Sequence, residues 1–159
     1  MADGKTMRLT QHADYALRTL IFLGLKPHDE LATIQEIAES YHISRNHLMK
    51  VVGRLAVQGY VVSTRGIGGG ICLAKAPETI IVGQVVRSME PEDGLVECLR
   101  ENNHCVITPV CVLPGMLAKA RAAFMTELDS YSLRDLLPPG KRRKLSHLLA
   151  LEQPVRFVP

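Results

Sequence analysis

Residues 44–75 read SRNHLMKVVGRLAVQGYVVSTRGIGGGICLAK, and this stretch decides the fold. Its first half places apolar residues on one face of a helix, with Ser44 at the N-cap position and Gly59 just past the C-terminus. Its second half consists of two short β-branched runs that flank four glycines, which predicts a β-hairpin with a flexible tip. The apolar helical positions are Leu48, Val51, Val52 and Leu55.

Two further helices are predicted upstream of this stretch. Residues 10–25 repeat apolar side chains at helical spacing, and Thr10 is a suitable N-cap. Gly24 falls on the same stripe without a side chain to bury, so we expect the helix to weaken there. Thr33 and Glu36 have the spacing of a capping box at the start of the second helix. Helix, helix, tight turn, helix and hairpin is the order of a winged helix-turn-helix.

Downstream, a short helix, a cysteine-rich segment and a long amphipathic helix are predicted in turn. We divide the chain into a winged helix-turn-helix domain (1–77), a connecting helix with the cysteine loop (78–113), the long helix with a short C-terminal helix (114–137) and a basic tail (138–159). The tail has a basic start and some helical character, and disorder is also expected there. The predicted fold is mainly α, with a small β-hairpin wing and one long helix after the DNA-binding module.

Composition favours a packed helical protein that contacts a polyanion. The chain has 159 residues, of which 47% are hydrophobic and only 4% aromatic, so aliphatic side chains must build the core. Residues 1–75 hold nine Lys/Arg against six Asp/Glu, whereas residues 76–137 hold five against nine. This change of sign indicates a polyanion-binding module joined to another part. No apolar run approaches the roughly 18 residues of a membrane span and no signal peptide is evident, which predicts a cytoplasmic protein.

The third helix and the hairpin carry the candidate DNA contacts. Hydrogen-bonding side chains in the first turn of a recognition helix reach base edges, where Arg pairs with guanine and Asn with adenine. Glycines in the hairpin let its backbone approach the sugar-phosphate surface. A solvated helix face, or a winged helix that binds protein, is the alternative. The candidate residues are Ser44, Arg45, Asn46, His47, Lys50 and Arg54 in the helix, and Arg65, Gly68 and Gly69 in the hairpin.

Three of the four cysteines, Cys98, Cys105 and Cys111, lie within fourteen residues. Soft thiolate ligands select zinc, copper(I) or iron–sulfur clusters. Structural zinc usually uses C-x2-C pairs, so intervals of six and five residues fit a wider cluster better. Three unconnected thiols are the alternative. Cys72 in the second wing strand is predicted to be a buried apolar residue, and His104 is either a further ligand or a surface side chain.

Several stretches together resemble one family. They are MRLTQHADYALRTLIFL (7–23), SRNHLMKVVGRLAVQGYV (44–61), RGIGGGICLAKAP (65–77), GQVVRSMEP (83–91) and CVITPVCVLPGMLAKARAAFMTELDSYSLRDLL (105–137). The resemblance is to the NsrR family of nitric-oxide-sensing transcriptional repressors. That family is part of a larger group of dimeric winged-helix regulators with iron–sulfur clusters, which includes the IscR family. The resemblance covers roughly residues 7–137.

The resemblance implies a homodimer that binds a palindromic operator in double-stranded DNA and responds to nitric oxide. Cys98, Cys105 and Cys111 match the family's cluster ligands, and Asp14 matches an aspartate that supplies the fourth ligand from the partner subunit. One four-iron (4Fe-4S) or two-iron (2Fe-2S) cluster per subunit is implied, and helix 115–129 matches the dimerisation helix. No histidine follows Cys111 closely, which favours the NsrR branch over the IscR branch.

Other functions remain open from the residues alone. One is an IscR-like iron–sulfur or redox regulator. Another is a metal-free thiol switch, although Arg100 between Glu97 and Glu101 activates a thiol poorly. A small iron–sulfur electron carrier would not need the winged module. No Walker loop or nucleophile–base arrangement is visible, so the chain is not predicted to be an enzyme.

Overall fold

A computed structural model describes residues 9–27, 30–90, 96–100 and 102–151. Residues 1–8 of the predicted winged domain, residues 91–95 at the start of the cysteine segment and residues 152–159 of the predicted tail lie outside the described residues. The helices and strands are α1 (Gln11–Leu25), α2 (Ile34–Tyr41), α3 (Arg45–Val57), β1 (Val61–Thr64), β2 (Gly70–Leu73), α4 (Val82–Met89), α5 (Leu113–Asp129) and α6 (Pro139–Leu148), with 3-10 turns at Pro77–Thr79 and Glu97–Leu99.

Helices α1, α2 and α3 form the predicted helix-turn-helix around one aliphatic core. The capping box at the start of α2 is confirmed, because the Thr33 hydroxyl accepts from the Glu36 N–H and the Glu36 carboxylate accepts from the Thr33 N–H. The end of α3 is also as predicted. Gly59 has a φ of +71°, and the next N–H, of Tyr60, donates to the Leu55 carbonyl at 2.9 Å, which is the Schellman arrangement.

The wing is a β-hairpin to which Ala32 adds a β-bridge. Strands β1 and β2 pair in antiparallel register, beginning with Val61 opposite Leu73. Ala32, before α2, adds a bridge that sequence reasoning missed: its N–H donates to the Ile71 carbonyl at 2.9 Å, and its own carbonyl accepts from the Ile71 N–H at 2.8 Å. A Cβ at Gly70 would lie 2.7 Å from the Ala32 carbonyl oxygen, so glycine permits this close approach. The wing is thereby fixed to the helix-turn-helix.

Helix α4 connects the winged module to α5 and packs against both α1 and α5. The Arg87 guanidinium donates to both carboxylate oxygens of Asp129 at the end of α5, at 2.8 Å for Oδ1. The hydrogen bonds from Arg87 hold the pKa of Asp129 below its usual range. A Cβ at Gly83 would overlap Asp129 Oδ1. Glycine at this position therefore lets the end of α5 rest directly on α4.

Helix α1 includes Gly24 and ends one residue later, at Leu25. A Cβ at Gly24 would lie 2.6 Å from Leu137 Cδ1, so the missing side chain leaves room for the segment that follows α5. Arg142 of α6 donates from Nη2 to the Gly24 carbonyl at 2.7 Å, and Leu149 is buried in the core. Residues 139–148 of the predicted basic tail thus form a helix docked on α1.

Three other local expectations differ from the structure. Cys72 is half-buried rather than buried, because it lies opposite the exposed Val62 on the outer face of the hairpin. Ser44 occupies the N-cap position of α3, but its side chain makes no capping hydrogen bond. Residues 132–137 form turns rather than a short helix, because part of their backbone bonds to residues 80–81 instead.

We predict that Gly83→Ala lowers the free energy of unfolding by about 1–3 kcal/mol, because the new methyl group would displace Asp129 and disturb its ion pair with Arg87. Gly53→Ala is the matched control. It lies inside α3 with no heavy atom within 4 Å of the added Cβ, and should stabilise by about 0.5–1 kcal/mol through helix propensity. Urea denaturation of both variants measures this difference, and equal unfolding midpoints would contradict the packing argument.

Candidate nucleic-acid interface and cysteine loop

The first turn of α3 presents polar side chains to solvent while the opposite face is buried. Arg45, Asn46, His47 and Lys50 are exposed. The first turn holds no acidic residue, and the N-cap side chain makes no hydrogen bond to its backbone N–H groups. A helix N-terminus with this composition attracts phosphate groups. The side chains that anchor the helix in the core are Leu48, Val51, Val52 and Leu55.

A tight turn fixes the angle at which α3 leaves α2. His42 adopts the left-handed conformation with φ of 53°, which histidine tolerates better than most residues. The following Ile43 N–H donates to the Ala38 carbonyl at 2.9 Å, closing the end of α2. Only residues 42–44 separate the two helices, so the backbone conformation of these three residues sets the direction of α3.

Arg54 differs from the other candidate contacts of α3. Its guanidinium donates from Nη1 to the Met89 carbonyl at 3.3 Å, at the end of α4. The other predicted contacts of the helix lie nearer its N-terminus, away from this bond. In this structure Arg54 therefore joins the recognition helix to α4.

The wing tip is narrow and exposed. Arg65 is exposed at its base and Ile67 is fully exposed at its end. Gly66 and Gly68 have positive φ values of 103° and 76°, which side chains rarely adopt. A Cβ at Gly69 would overlap the Thr64 carbonyl oxygen, so this position requires glycine for space. The predicted wing residues are thus brought together in one turn.

Asp14 lies in the first turn of α1 and is bound within its own chain. Arg18 donates from Nη2 to Asp14 Oδ2 at 2.8 Å and from Nε to Oδ1 at 3.0 Å, and both side chains are about half exposed. The same guanidinium lies 5.9 Å from the centroid of the Tyr41 ring, at the end of α2. Burial raises the pKa of Tyr41 to about 12, against the opposing effect of the nearby Arg18 charge. Asp14 is therefore connected through Arg18 to the residue that precedes the turn into α3.

The C-terminal end of α4 makes a second connection to α1. The Glu90 carboxylate accepts from the Thr10 N–H at 2.7 Å, beside the N-terminus of α1. Met89, its neighbour, accepts the bond from Arg54 of α3. Glu90 is also the last described residue before the cysteine segment. The end of α4 thus contacts both α1 and α3.

The cysteine loop is organised by hydrogen bonds among its own residues. The Cys105 N–H donates to Asn103 Oδ1 at 2.9 Å, and Asn103 Nδ2 donates to Thr108 Oγ1 at 2.8 Å. The Cys111 N–H donates to the Thr108 carbonyl at 3.3 Å. Cys98 lies in the 3-10 turn, and all three thiols are half-buried and unbridged by disulfides. The His104 side chain is exposed, in agreement with a surface residue.

The donor chemistry of the loop fits an iron–sulfur cluster, because three thiols on one short segment are soft ligands for iron. Within the described ranges, no group of three or more His, Cys, Asp or Glu side chains is positioned to hold a metal ion. The cysteines are therefore not gathered into a ligand shell in the single chain. Asp14 lies on α1, in the winged module, rather than in this loop.

The loop and α5 expose several large apolar side chains. None of the residues of α5 is buried, and the helix packs against α4 and the 3-10 turn. Soluble monomers rarely expose large contiguous apolar patches, so such a surface suggests an association face. The exposed large apolar side chains of this region are Val106, Ile107, Val110, Val112, Leu113, Met116 and Phe124.

Across the part of the chain that the structure describes, no helix combines the length and the apolar character needed to cross a membrane.

Comparison with known proteins places these features in a family. The model of the Rrf2 family, described as an iron-dependent transcriptional regulator, matches residues 9–139. The chain belongs to the Rrf2 family. Helices α1 to α5, the wing and the cysteine loop all fall within the matched region.

Curated Rrf2 relatives are similar over most of the chain. The HTH-type transcriptional regulator NsrR of Bacillus subtilis is 52% identical over 132 residues, which cover 82% of this chain and 90% of that protein. The regulator of the same name from Bacillus licheniformis is 50% identical over 132 residues, covering 82% and 92%. That of Oceanobacillus iheyensis is 45% identical over 148 residues, covering 92% and 99%. These relatives confirm the resemblance to the NsrR family, and they are named as regulators rather than enzymes.

Solved structures confirm the winged-helix fold. IscR of T. potens superposes with a TM-score of 0.66 at 24% identity, covering 82% of this chain and 86% of that chain. Staphylococcus aureus CymR superposes with a TM-score of 0.65 at 24% identity, covering 80% and 95%. At this identity the likeness shows the shared fold.

Sequence reasoning missed several contacts that hold Asp14 and the ends of α2 and α4 in place in this Rrf2 chain. The pairing of Asp14 with Arg18 was readable from their spacing of four residues on one helix. The contact of Arg18 with Tyr41 and that of Glu90 with Thr10 join distant segments, so no local pattern signals them.

We predict that Asp14→Asn lowers the free energy of unfolding of the iron-free protein by less than about 1 kcal/mol. The pair with Arg18 is half exposed, and surface pairs at this helical spacing contribute little. Urea denaturation of the iron-free variant beside the iron-free wild type measures the change. A loss of more than about 2 kcal/mol would mean that Asp14 is needed for folding itself.

Proposed function

We propose that the protein is a homodimeric repressor that binds a palindromic operator and senses nitric oxide through an iron–sulfur cluster. Cys98, Cys105 and Cys111 of one subunit would hold the cluster together with Asp14 of the partner subunit. The observation that carries the proposal is one chain in which a winged helix is joined to a three-thiol loop beside an exposed apolar helix. The similarity to NsrR regulators supports the assignment of the signal to nitric oxide.

DNA recognition is supported by the two-faced structure of α3. Its buried face fixes the helix, and its first turn presents Arg45 and Asn46 for base edges, with Lys50 for the phosphate backbone. The wing adds Arg65 at the base of a glycine-rich tip that can lie close to the backbone. In a dimer, two such helices would lie about one helical turn of DNA apart, which matches a palindromic operator.

Dimer formation is supported by α5 and the cysteine loop. The helix contributes nothing to the buried core of the single chain, yet it exposes Met116 and Phe124. Pairing of two copies through this face would remove these side chains from water, which is favourable in proportion to the apolar area covered.

The carboxylate of Asp14 is suited to serve the partner subunit because it is half exposed at the start of α1. Binding there would compete with its own Arg18 for the carboxylate oxygens. Arg18 also contacts Tyr41, so a change in the pairing of Asp14 would reach the turn that sets the direction of α3. A bound cluster would supply iron that is open to attack by nitric oxide at the weakly held carboxylate position.

Coupling between the cysteine loop and the operator requires a difference in affinity between two conformations. The contacts of Met89 and Glu90 with α3 and α1 provide a path along which loop position could affect recognition-helix position. Operator affinity would then change only as far as ligand binding favours the DNA-competent conformation.

For DNA recognition we predict that Arg45→Gln lowers operator affinity by about 10-fold or more and relaxes base preference. Lys50→Gln should weaken operator and unrelated DNA alike and reduce the slope of log affinity against log salt by about 1. Arg134→Gln is the control, because Arg134 is exposed in the turns after α5 and outside the winged module. Fluorescence anisotropy at several salt concentrations provides the measurement. Equal loss in Arg45→Gln and Arg134→Gln would contradict the assignment of α3 as the reading element.

For the metal centre we predict that the protein purified without oxygen is coloured and contains iron and acid-labile sulfide. Cys105→Ser and Cys111→Ser should lose the visible absorbance and most of the iron, because serine is a poor ligand for cluster iron. Cys72→Ser is the matched control, since this half-buried thiol lies in the wing. It should keep wild-type iron content and the wild-type response of operator binding to nitric oxide.

Two results would overturn the cluster assignment. One is a colourless wild-type protein with stoichiometric zinc. The other is a loss of iron in Cys72→Ser as complete as in Cys105→Ser. In Asp14→Asn, a wild-type nitric-oxide titration of operator binding would remove Asp14 from the proposed ligand set while leaving the three cysteines in place.

A further inference from the structure

Helix α6 is a basic element that follows the region matched by the Rrf2 family model. That match ends at residue 139, where α6 begins. The helix contains the consecutive cations Lys141, Arg142, Arg143 and Lys144, and residues 136–151 contain no Asp or Glu. Cations in the first turns of a helix lie at the positive end of its dipole, which is unfavourable for the helix alone. Their placement therefore calls for a reason other than helix stability.

Two contacts attach α6 to the helix-turn-helix rather than to the cysteine loop. Near its start, Arg142 donates to the carbonyls of Gly24 and Leu25, at 2.7 and 3.3 Å, at the end of α1. Just past its end, the Leu149 carbonyl accepts from the Ser40 hydroxyl of α2 at 3.0 Å. Ser40 lies in the last turn of α2, close to the turn that leads into α3. Helix α6 is thus attached to the DNA-binding module.

All four cations of α6 are exposed, but only Arg142 is hydrogen-bonded to the end of α1. Lys141, Arg143 and Lys144 make no such contact with α1 among the described residues. Among the described residues, none of these three takes part in an ion pair with a carboxylate. Arg143 and Lys144 lie on one exposed face of the helix together with Gly140 and His147. The exposed side of the helix is therefore a positively charged surface.

A nucleic acid fits this surface better than a membrane does. Lipid-binding amphipathic helices insert an apolar face, but Leu145 of α6 and Leu149 just past its end pack into the core, which leaves Leu148 as the one exposed leucine of α6. Positive side chains on a helix that is attached to a DNA-binding module are suited to bind phosphate groups. Such contacts do not depend on the DNA sequence.

We propose that the exposed cations of α6 bind phosphates of DNA that flanks the operator, as a second DNA-binding surface of the winged module. The proposal rests on the proposed function in one respect, namely that the protein binds an operator. Lys141, Arg143 and Lys144 extend the interface beyond the base pairs that α3 reads, and Arg142 holds the helix in place.

The test compares a long and a short duplex. Wild-type protein purified without oxygen selects its palindrome from a pool of random duplexes. The palindrome is then placed in a duplex of about 40 base pairs and in one trimmed to about 24 base pairs, which still spans two half-sites. Anisotropy titrations at several salt concentrations measure the affinity of wild type and of the variant Arg143→Gln/Lys144→Gln for each duplex. Unchanged thermal unfolding of the variant shows that α6 remains folded.

The variant is expected to bind the long duplex several-fold more weakly, with a salt slope reduced by about 0.9 for each phosphate that the protein no longer neutralises. On the trimmed duplex it should bind as wild type does. The control Arg134→Gln removes one positive charge outside the winged module and should match wild type on both duplexes, whereas Arg143→Gln, which removes the same charge from α6, should weaken binding to the long duplex.

Three results would overturn the inference while operator binding stands. They are wild-type affinity and slope of the α6 variant on the long duplex, equal weakening on both duplexes, or equal weakening in the control. If the wild type enriches no palindrome, the proposed function fails and the inference falls with it.

Discussion

The burial of α1 is the constraint on which the rest of the structure depends. Ala13 and Ala16 of α1 are fully buried, and the helix packs against both α3 and α4. The same helix contacts β2 of the wing and the docked α6. Its remaining face carries Asp14 toward solvent. Helix α1 therefore packs against α3, which carries the candidate base contacts, and against α4, which precedes the cysteine segment. It also carries the candidate ligand Asp14.

Few of these connections are visible in local sequence patterns. The helices of the winged module, the capping box at Thr33 and the glycine-rich hairpin follow from periodicity and capping chemistry, and the structure agrees with them. The role of Gly24 could not be read in this way, because it depends on Leu137 and Arg142 more than a hundred residues later. The bridge from Ala32 to the wing is likewise a tertiary contact with no local signature.

The candidate metal site was predictable only in part. Three clustered thiols indicate soft-metal chemistry from their type and number alone. Their arrangement around a metal ion does not follow from the single chain, where the described residues form no such ligand group. A ligand set divided between two subunits would be complete only after association. Residue type is encoded locally, whereas the geometry of a shared site depends on the assembly.

The separation of α5 from the core has a consequence for regulation. Because none of its residues is buried in the single chain, association through α5 and folding of the winged module draw on different apolar surfaces. The bonds of Met89 and Glu90 join the end of α4, which also packs against α5, to α3 and α1. In the proposed dimer, a change in the cysteine segment would therefore alter the relation between the two α3 helices without unfolding the winged module. Regulation of this kind would need only a modest difference in free energy between two arrangements of the winged modules in the dimer.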